Sequence, residues 1–131
     1  MILLDSSFLI DFFRDEKYSS FIPENEIPVV SVISYYEIMS GIKRLRSKKE
    51  EEFFQRLFTE IEILDFNLTA AHYASTLSAR MKAAGTPVNA LDILIAGTAC
   101  ASNIDQIITA DKDFEIIARF SDLHVIRYSD M

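Results

Sequence analysis

The apolar positions along the chain change period many times. Ile2–Leu4 is an unbroken apolar run and reads as a short buried strand. From Ser6 to Asp15, Leu9, Phe12 and Phe13 recur at i, i+3, i+4 spacing, which predicts a helix. Pro23 and Pro28 interrupt the pattern. Residues 29–32 (VVSV) are short and β-branched, a second strand. The segment SYYEIMSGIKRLR then places Tyr35, Ile38, Met39, Ile42 and Leu45 on one helical face. Residues 49–59 predict another helix, with Phe53, Phe54, Leu57 and Phe58 facing inward, and 61–64 (IEIL) a third strand. Ala70, Ala74, Leu77, Met81 and Ala84 stripe a helix over 69–84, which Gly85-Thr86-Pro87 ends. NALDILIAGTACAS predicts a largely apolar helix, QIIT (106–109) a fourth strand, DKDF the start of a short helix, and HVIRY (124–128) a fifth strand.

Strands alternating with helices predict an α/β fold: a three-layer sandwich with a mainly parallel five-stranded sheet and helices on both faces. Crossover handedness follows from that, whereas strand order is not carried by the pattern. The 131 residues fit a single domain, 1–131, large enough to bury a core. The start of the chain lacks the basic and long apolar regions of a signal peptide. The longest apolar stretch, Val88 to Ile104, contains Asp92 and Asn103 and reads as a buried helix rather than a membrane span. The single cysteine, Cys100, excludes an internal disulfide and reads as a small buried hydrophobe, so the cytoplasm is the expected location.

The net charge of −7 argues against a sequence-blind DNA binder but not against a nucleic-acid enzyme, because acids that hold a metal subtract charge the metal restores. In open parallel sheets, ligands bind beyond the carboxyl ends of the strands. Asp5, Asp65 and Asp111 follow strands one, three and four, Glu37 lies in the first turn after strand two, and Asp92 begins its own helix. Each alone suits a helix cap or first turn. Asp92 resists that reading: it is the only charged residue between Lys82 and Asp105, and unpaired burial would cost several kcal/mol or neutralise it. Glu37 has the small neighbours Ser34, Ser40 and Gly41 on its helical face. If Asp5, Glu37, Asp92 and Asp111 converge, their repulsion calls for a cation, and oxygen-only ligation favours Mg²⁺, with Mn²⁺ as a substitute. Zinc is disfavoured, since His72 and His124 lie far apart without ligand spacing.

Taken in order, LLDSSFLIDFF, SVISYYEIMSGI, GTPVNALDILIAGTA and IITADKDFE resemble the four acid-bearing segments of PIN domains, in particular the VapC-type toxin ribonucleases of toxin–antitoxin pairs. The resemblance spans essentially the whole chain. It implies a Mg²⁺-dependent endoribonuclease cutting single-stranded RNA, a homodimer, and a cognate antitoxin that blocks the cleft. Many members carry asparagine two places after the first acid, where this chain has Ser7. Asp5, Asp92 and Asp111 are the expected metal ligands, directly or through water, with Glu37 and Asp113 as further water-mediated candidates. Glu37 is placed to hold or deprotonate the attacking water. The hydroxyls of Ser6 and Thr109 are candidates to orient carboxylates or touch phosphate. Five of the thirteen Lys and Arg residues fall in KRLRSKK (43–49). Lys43, Arg44 and Arg46 in it are candidates for RNA phosphate contacts, against the plainer reading of cations closing a helix.

Three other functions fit parts of the pattern. A receiver-like signalling domain would be phosphorylated on Asp65, but HVIRYSDM lacks the expected lysine. An aspartate-nucleophile phosphatase would need an acid where Ser7 stands. A PIN fold that binds RNA without cutting it would not need all four acids.

Overall fold

Ile2, Leu3 and Leu4 are at most 4% exposed and form the middle strand of the sheet. The computed structural model describes residues 1–128; residues 129–131, the end of the expected 1–131 domain, lie outside the described residues. Five strands, β1 (Ile2–Leu4), β2 (Pro28–Ser31), β3 (Glu62–Leu64), β4 (Gln106–Thr109) and β5 (His124–Arg127), form one sheet in the order β3-β2-β1-β4-β5. All four pairings are parallel: Leu3 faces Val29 on one side and Ile107 on the other. The sheet is thus entirely parallel where the sequence indicated mainly parallel.

The alternation within β1 and its neighbours divides the core. Leu3, Val29 and Ile107 pack with helices α4 (Leu68–Ala83), α5 (Ala90–Ala101) and α6 (Asp113–Ala118). Ile2, Leu4, Val30 and Ile108 pack with α1 (Ser6–Arg14), α2 (Val32–Leu45) and α3 (Lys48–Glu60). Among the described residues three helices therefore cover each face, the three-layer arrangement expected. Each such fully buried aliphatic side chain stabilises the fold by roughly 1.5–3 kcal/mol.

Helix ends show how local sequence sets the frame. Ser31, Ser47, Asn67 and Asn89 each cap a helix by accepting a backbone N–H with the side chain. Gly85 turns the chain after α4 with φ of 73°, a left-handed conformation that only glycine adopts without cost. On α5, an ideal Cβ at Gly97 would lie 2.6 Å from the Ala70 carbonyl oxygen, so the absence of a side chain lets α4 and α5 touch.

Several expectations are corrected. Tyr35 and Leu45 are 37% and 66% exposed, because only the Ile38–Ile42 part of the α2 stripe meets the core. Ala84 is exposed, since it is the C-cap of α4 and no longer on the helix face. Val32 begins α2 rather than ending β2, as Ser31 caps at that point. Between α1 and Pro23 the chain forms a 3₁₀ turn at Glu16–Phe21, capped by Asp15. Cys100 is only partly buried. No helix among the described residues is long and apolar enough to cross a membrane.

Candidate metal centre

The direction of winding reverses between β1 and β4, and a crevice opens at such a switch beyond the carboxyl ends of the strands. β1 ends at Leu4 and hands over Asp5; β4 ends at Thr109 and hands over Asp111. Glu37 comes from α2 and Asp92 from the first turn of α5.

Asp5 occupies the N-cap position of α1, yet its side chain makes no capping hydrogen bond, unlike the Ser and Asn caps above. Its carboxylate is turned to side chains instead. Oδ2 accepts from Thr109 Oγ1 at 2.7 Å and from Ser7 Oγ at 2.8 Å. Oδ1 is buried without a hydrogen-bond partner. A buried acceptor without a partner forfeits its hydration for nothing, which marks this oxygen as built for something else. Burial pushes the Asp5 carboxyl above its ordinary range, partly offset by the Thr109 and Ser7 hydrogen bonds.

Thr109 and Ser7 tie the two strand ends together. Thr109 Oγ1 accepts the Asp111 N–H at 2.9 Å, and Ser7 Oγ accepts the Ala110 N–H at 3.0 Å. The two hydroxyls are 3.3 Å apart. Asp111 Oδ1 accepts the Asp113 N–H at 2.9 Å in a tight turn that leads into α6, whose own N-cap, Lys112, makes no side-chain capping bond. Its carboxylate has a second neighbour, however. One carboxylate oxygen from each of Asp92, Asp111 and Asp113 lies within 4.8 Å of the others. Unit charges at that separation repel by about 3 kcal/mol at an effective dielectric of roughly 20.

The crowding of these acids goes with raised carboxyl pKa values. Asp92 is buried, and its carboxyl is pushed up to about 8, first by burial and then by the hydrogen bond and charge of Asp111, with Asp5 and Asp113 adding to it. Glu37, partly buried, is also raised, by burial and then by the Asp5 charge; Ser6 Oγ donates to its Oε1 at 3.2 Å and opposes the shift. Without a cation, the raised Asp92 carboxyl keeps its proton near neutral pH and hydrogen-bonds to the Asp111 carboxylate. Buried acid oxygen without a partner, three convergent carboxylates and no histidine or cysteine among them fit a hard, oxygen-loving divalent cation. His72 and His124 are both exposed, on α4 and at the start of β5.

The expected residues therefore distribute as follows. Asp92, Asp111 and Asp113 form the convergent group, with Asp113 a full member; Asp5 and Glu37 stand outside it but within electrostatic reach. Ser6 and Thr109 contact Glu37 and Asp5 respectively. Asp65 is exposed at the end of the edge strand β3 and joins none of them. In the sequence Ser7 stood out for what it is not, asparagine or a second acid, whereas in the structure it orients Asp5; a small hydroxyl at the second position of the helix after the acid was the available signal. Of the basic candidates, Arg44 lines a groove of about 300 Å³ together with Ser6, Glu37 and, from α1, Arg14. Lys43 and Arg46 do not line it. Arg46 instead ends α2 in a left-handed conformation, its N–H bonded to the Ile42 carbonyl.

Among known families, the model described as PIN domain matches residues 2–120. No curated protein matches the sequence. Solved structures do match. FitAcB from Neisseria gonorrhoeae is 24% identical, with TM-score 0.81 and full coverage of both chains. VapBC2 from Rickettsia felis, bound to a DNA fragment from their promoter, is 24% identical with TM-score 0.77, covering 96% of this chain and 98% of that one. VapBC-5 from Mycobacterium tuberculosis, a member of the VapBC family of toxin–antitoxin systems, is 21% identical with TM-score 0.78, covering 95% and 96%. At these identities the likeness is one of fold.

Proposed function

The chain belongs to the PIN domain family of nucleases, and from that premise we propose that it is a Mg²⁺-dependent endoribonuclease that cuts single-stranded RNA as the toxin of a toxin–antitoxin pair. The observation that carries the reading is the meeting of Asp92, Asp111 and Asp113 beside the partnerless buried oxygen of Asp5. Asp5, Asp92 and Asp111 would hold the cation, directly or through water, with Asp113 joining Asp92 and Asp111 in the convergent group and Mn²⁺ as an acceptable substitute. A divalent cation bound there supplies a Lewis acid that acidifies water and offsets charge building on the phosphorane.

The chain's own residues do the rest. Glu37, raised above the ordinary carboxylate range and steadied by Ser6, is positioned to take the proton from the attacking water. Thr109 and Ser7 hold Asp5 Oδ2 and so fix which oxygen remains for the cation. Arg44 and Arg14, both exposed on the walls of the groove beside Glu37, supply cationic contacts for the phosphates of the strand being cut. Lys43 and Arg46 sit at the end of α2, where cations also complement the helix dipole, and contribute at most to the wider field.

The solved structures that share this fold include toxin–antitoxin complexes, which supports a protein antitoxin as the partner of this chain. The homodimer and the cytoplasmic location belong to the same proposal. The receiver-like alternative is disfavoured by topology: doubly wound sheets of that class run 2-1-3-4-5, placing the third strand beside the first, whereas β3 here is an edge strand and Asp65 stands away from the acids. A module that binds RNA without cutting it has no use for a cluster of convergent carboxylates, which repels RNA phosphates. Incubating the protein with a single-stranded and a fully paired RNA, in Mg²⁺ and in EDTA, tests the proposal. Cleavage restricted to the single strand and abolished by EDTA is expected; equal cleavage in EDTA would refute it.

A further inference from the structure

Tyr128 follows β5 directly and is 3% exposed. Its ring lies among Phe8, Tyr18 and Phe21, with centroids 5.2, 5.5 and 5.7 Å away. Burial, and then the adjoining Asp11 carboxylate, push its phenol above the ordinary range, so the hydroxyl stays a donor at all ordinary pH. It donates to Asp11 Oδ2, and the Ser7 carbonyl oxygen lies 3.3 Å from the same hydroxyl. Both acceptors stand on α1, one turn apart. A phenylalanine would fill the aromatic box as well; the hydroxyl adds a directional tie that packing alone lacks.

Ser7 is where this tie meets the acids. Its Oγ donates to Asp5 Oδ2 and accepts the N–H of Ala110, the residue before Asp111. A displacement of the first turn of α1 would therefore move Asp5 and the Asp111 loop together. We propose that Tyr128 is a positioning residue for the acid cluster: its hydroxyl pins the first turn of α1 to the end of β5 and, through Ser7, holds Asp5 and Asp111 in cation-binding register. The inference rests on the metal-site reading above. It ties the far end of the chain to a site whose ligands begin at residue 5.

The test compares Mn²⁺ binding, by electron paramagnetic resonance well below the unfolding temperature, in wild type, Tyr128→Phe, Asp11→Asn and Phe21→Leu. Exchange of the Ala110 amide proton is followed in the metal-free proteins. Tyr128→Phe is expected to weaken Mn²⁺ binding by about tenfold, the lower end for residues that orient a ligand, and to speed Ala110 exchange. Asp11→Asn keeps an acceptor for the phenol and should bind within about twofold of wild type, since a neutral carbonyl oxygen replaces the lost partner. Phe21→Leu loosens the aromatic box without touching the hydroxyl, and should lower the melting temperature while leaving affinity unchanged. Wild-type affinity and exchange in Tyr128→Phe, or equal weakening by Phe21→Leu, would overturn the inference. Failure of the wild type itself to bind Mn²⁺ would remove the metal-site reading and the inference with it.

Discussion

Replacing Thr109 with valine isolates what holds Asp5. Thr109 is fully buried, and valine keeps its shape while deleting the hydroxyl. Two hydrogen bonds are lost: the donation to Asp5 Oδ2 at 2.7 Å and the acceptance from the Asp111 N–H at 2.9 Å. Asp5 keeps Ser7, but the Asp111 N–H is left without its acceptor. A lost hydrogen bond costs about 1 kcal/mol and an orphaned buried donor about 1–3 kcal/mol, so a total of about 2–4 kcal/mol is expected. For a chain of this length that is a fall of roughly 7–14 °C in melting temperature. The carboxyl of Asp5, which the Thr109 bond holds down, should rise further, and affinity for Mg²⁺ or Mn²⁺ should drop by about 10- to 100-fold. Urea unfolding in EDTA and calorimetric metal titration measure the two effects. Thr98→Val is the matched control. Its hydroxyl donates only to the Leu94 carbonyl of its own helix, so it should cost less than about 1 kcal/mol and leave metal binding alone. A Thr109→Val protein with wild-type affinity would refute the claim that this hydroxyl sets the usable face of Asp5.

Two further outcomes follow from the packing and the charges. In Gly97→Ala, alanine gains about 1 kcal/mol of helix propensity over glycine. Its Cβ, however, would stand 2.6 Å from Ala70 O and 2.9 Å from Ala74 Cβ. Overpacking against such a wall costs about 1–3 kcal/mol, so urea unfolding should show net destabilisation, and a stabilised variant would contradict the close α4–α5 approach. The metal-free protein should also lose stability as pH rises from about 3.8 to about 8, because over that window the folded state, with Asp92 pushed up to about 8, binds more protons than the unfolded chain. Asp5 and Glu37 are shifted in the same direction. Melting temperatures in EDTA across that range should fall, and saturating Mg²⁺ should flatten the trend; a rise with pH in EDTA would contradict the acid cluster.

Periodicity made the alternation of strands and helices legible, because each element buries one face against the same sheet. It did not carry strand order, which depends on which crossover covers which face. Nor did it locate the exposed ends of α2: Tyr35 and Leu45 fit the stripe but are 37% and 66% exposed, Tyr35 resting on Phe58 of α3. Asp92 was conspicuous in sequence because its apolar helix offered no partner, and it is buried beside Asp111. Asp113 was harder to weigh, since two acids two residues apart after a strand look alike until the turn is built; Asp111 makes that turn and brings Asp113 to the same point. The ties of Ser7 to Ala110 and of Tyr128 to Asp11 join residues more than a hundred positions apart, and no local pattern announces them.

The central claim is that the acids form a metal-dependent ribonuclease site. Its most direct test is the rate of single-stranded RNA cleavage in Mg²⁺ by wild type and by Asp92→Asn, with the fold of each checked by circular dichroism. Asp92→Asn keeps the shape and cannot ionise, much as the protonated Asp92 of the metal-free protein, so the variant should be at least as stable as the metal-free wild type. The account predicts cleavage by the wild type and none above background by the folded variant. A folded Asp92→Asn protein that cuts at the wild-type rate would contradict it.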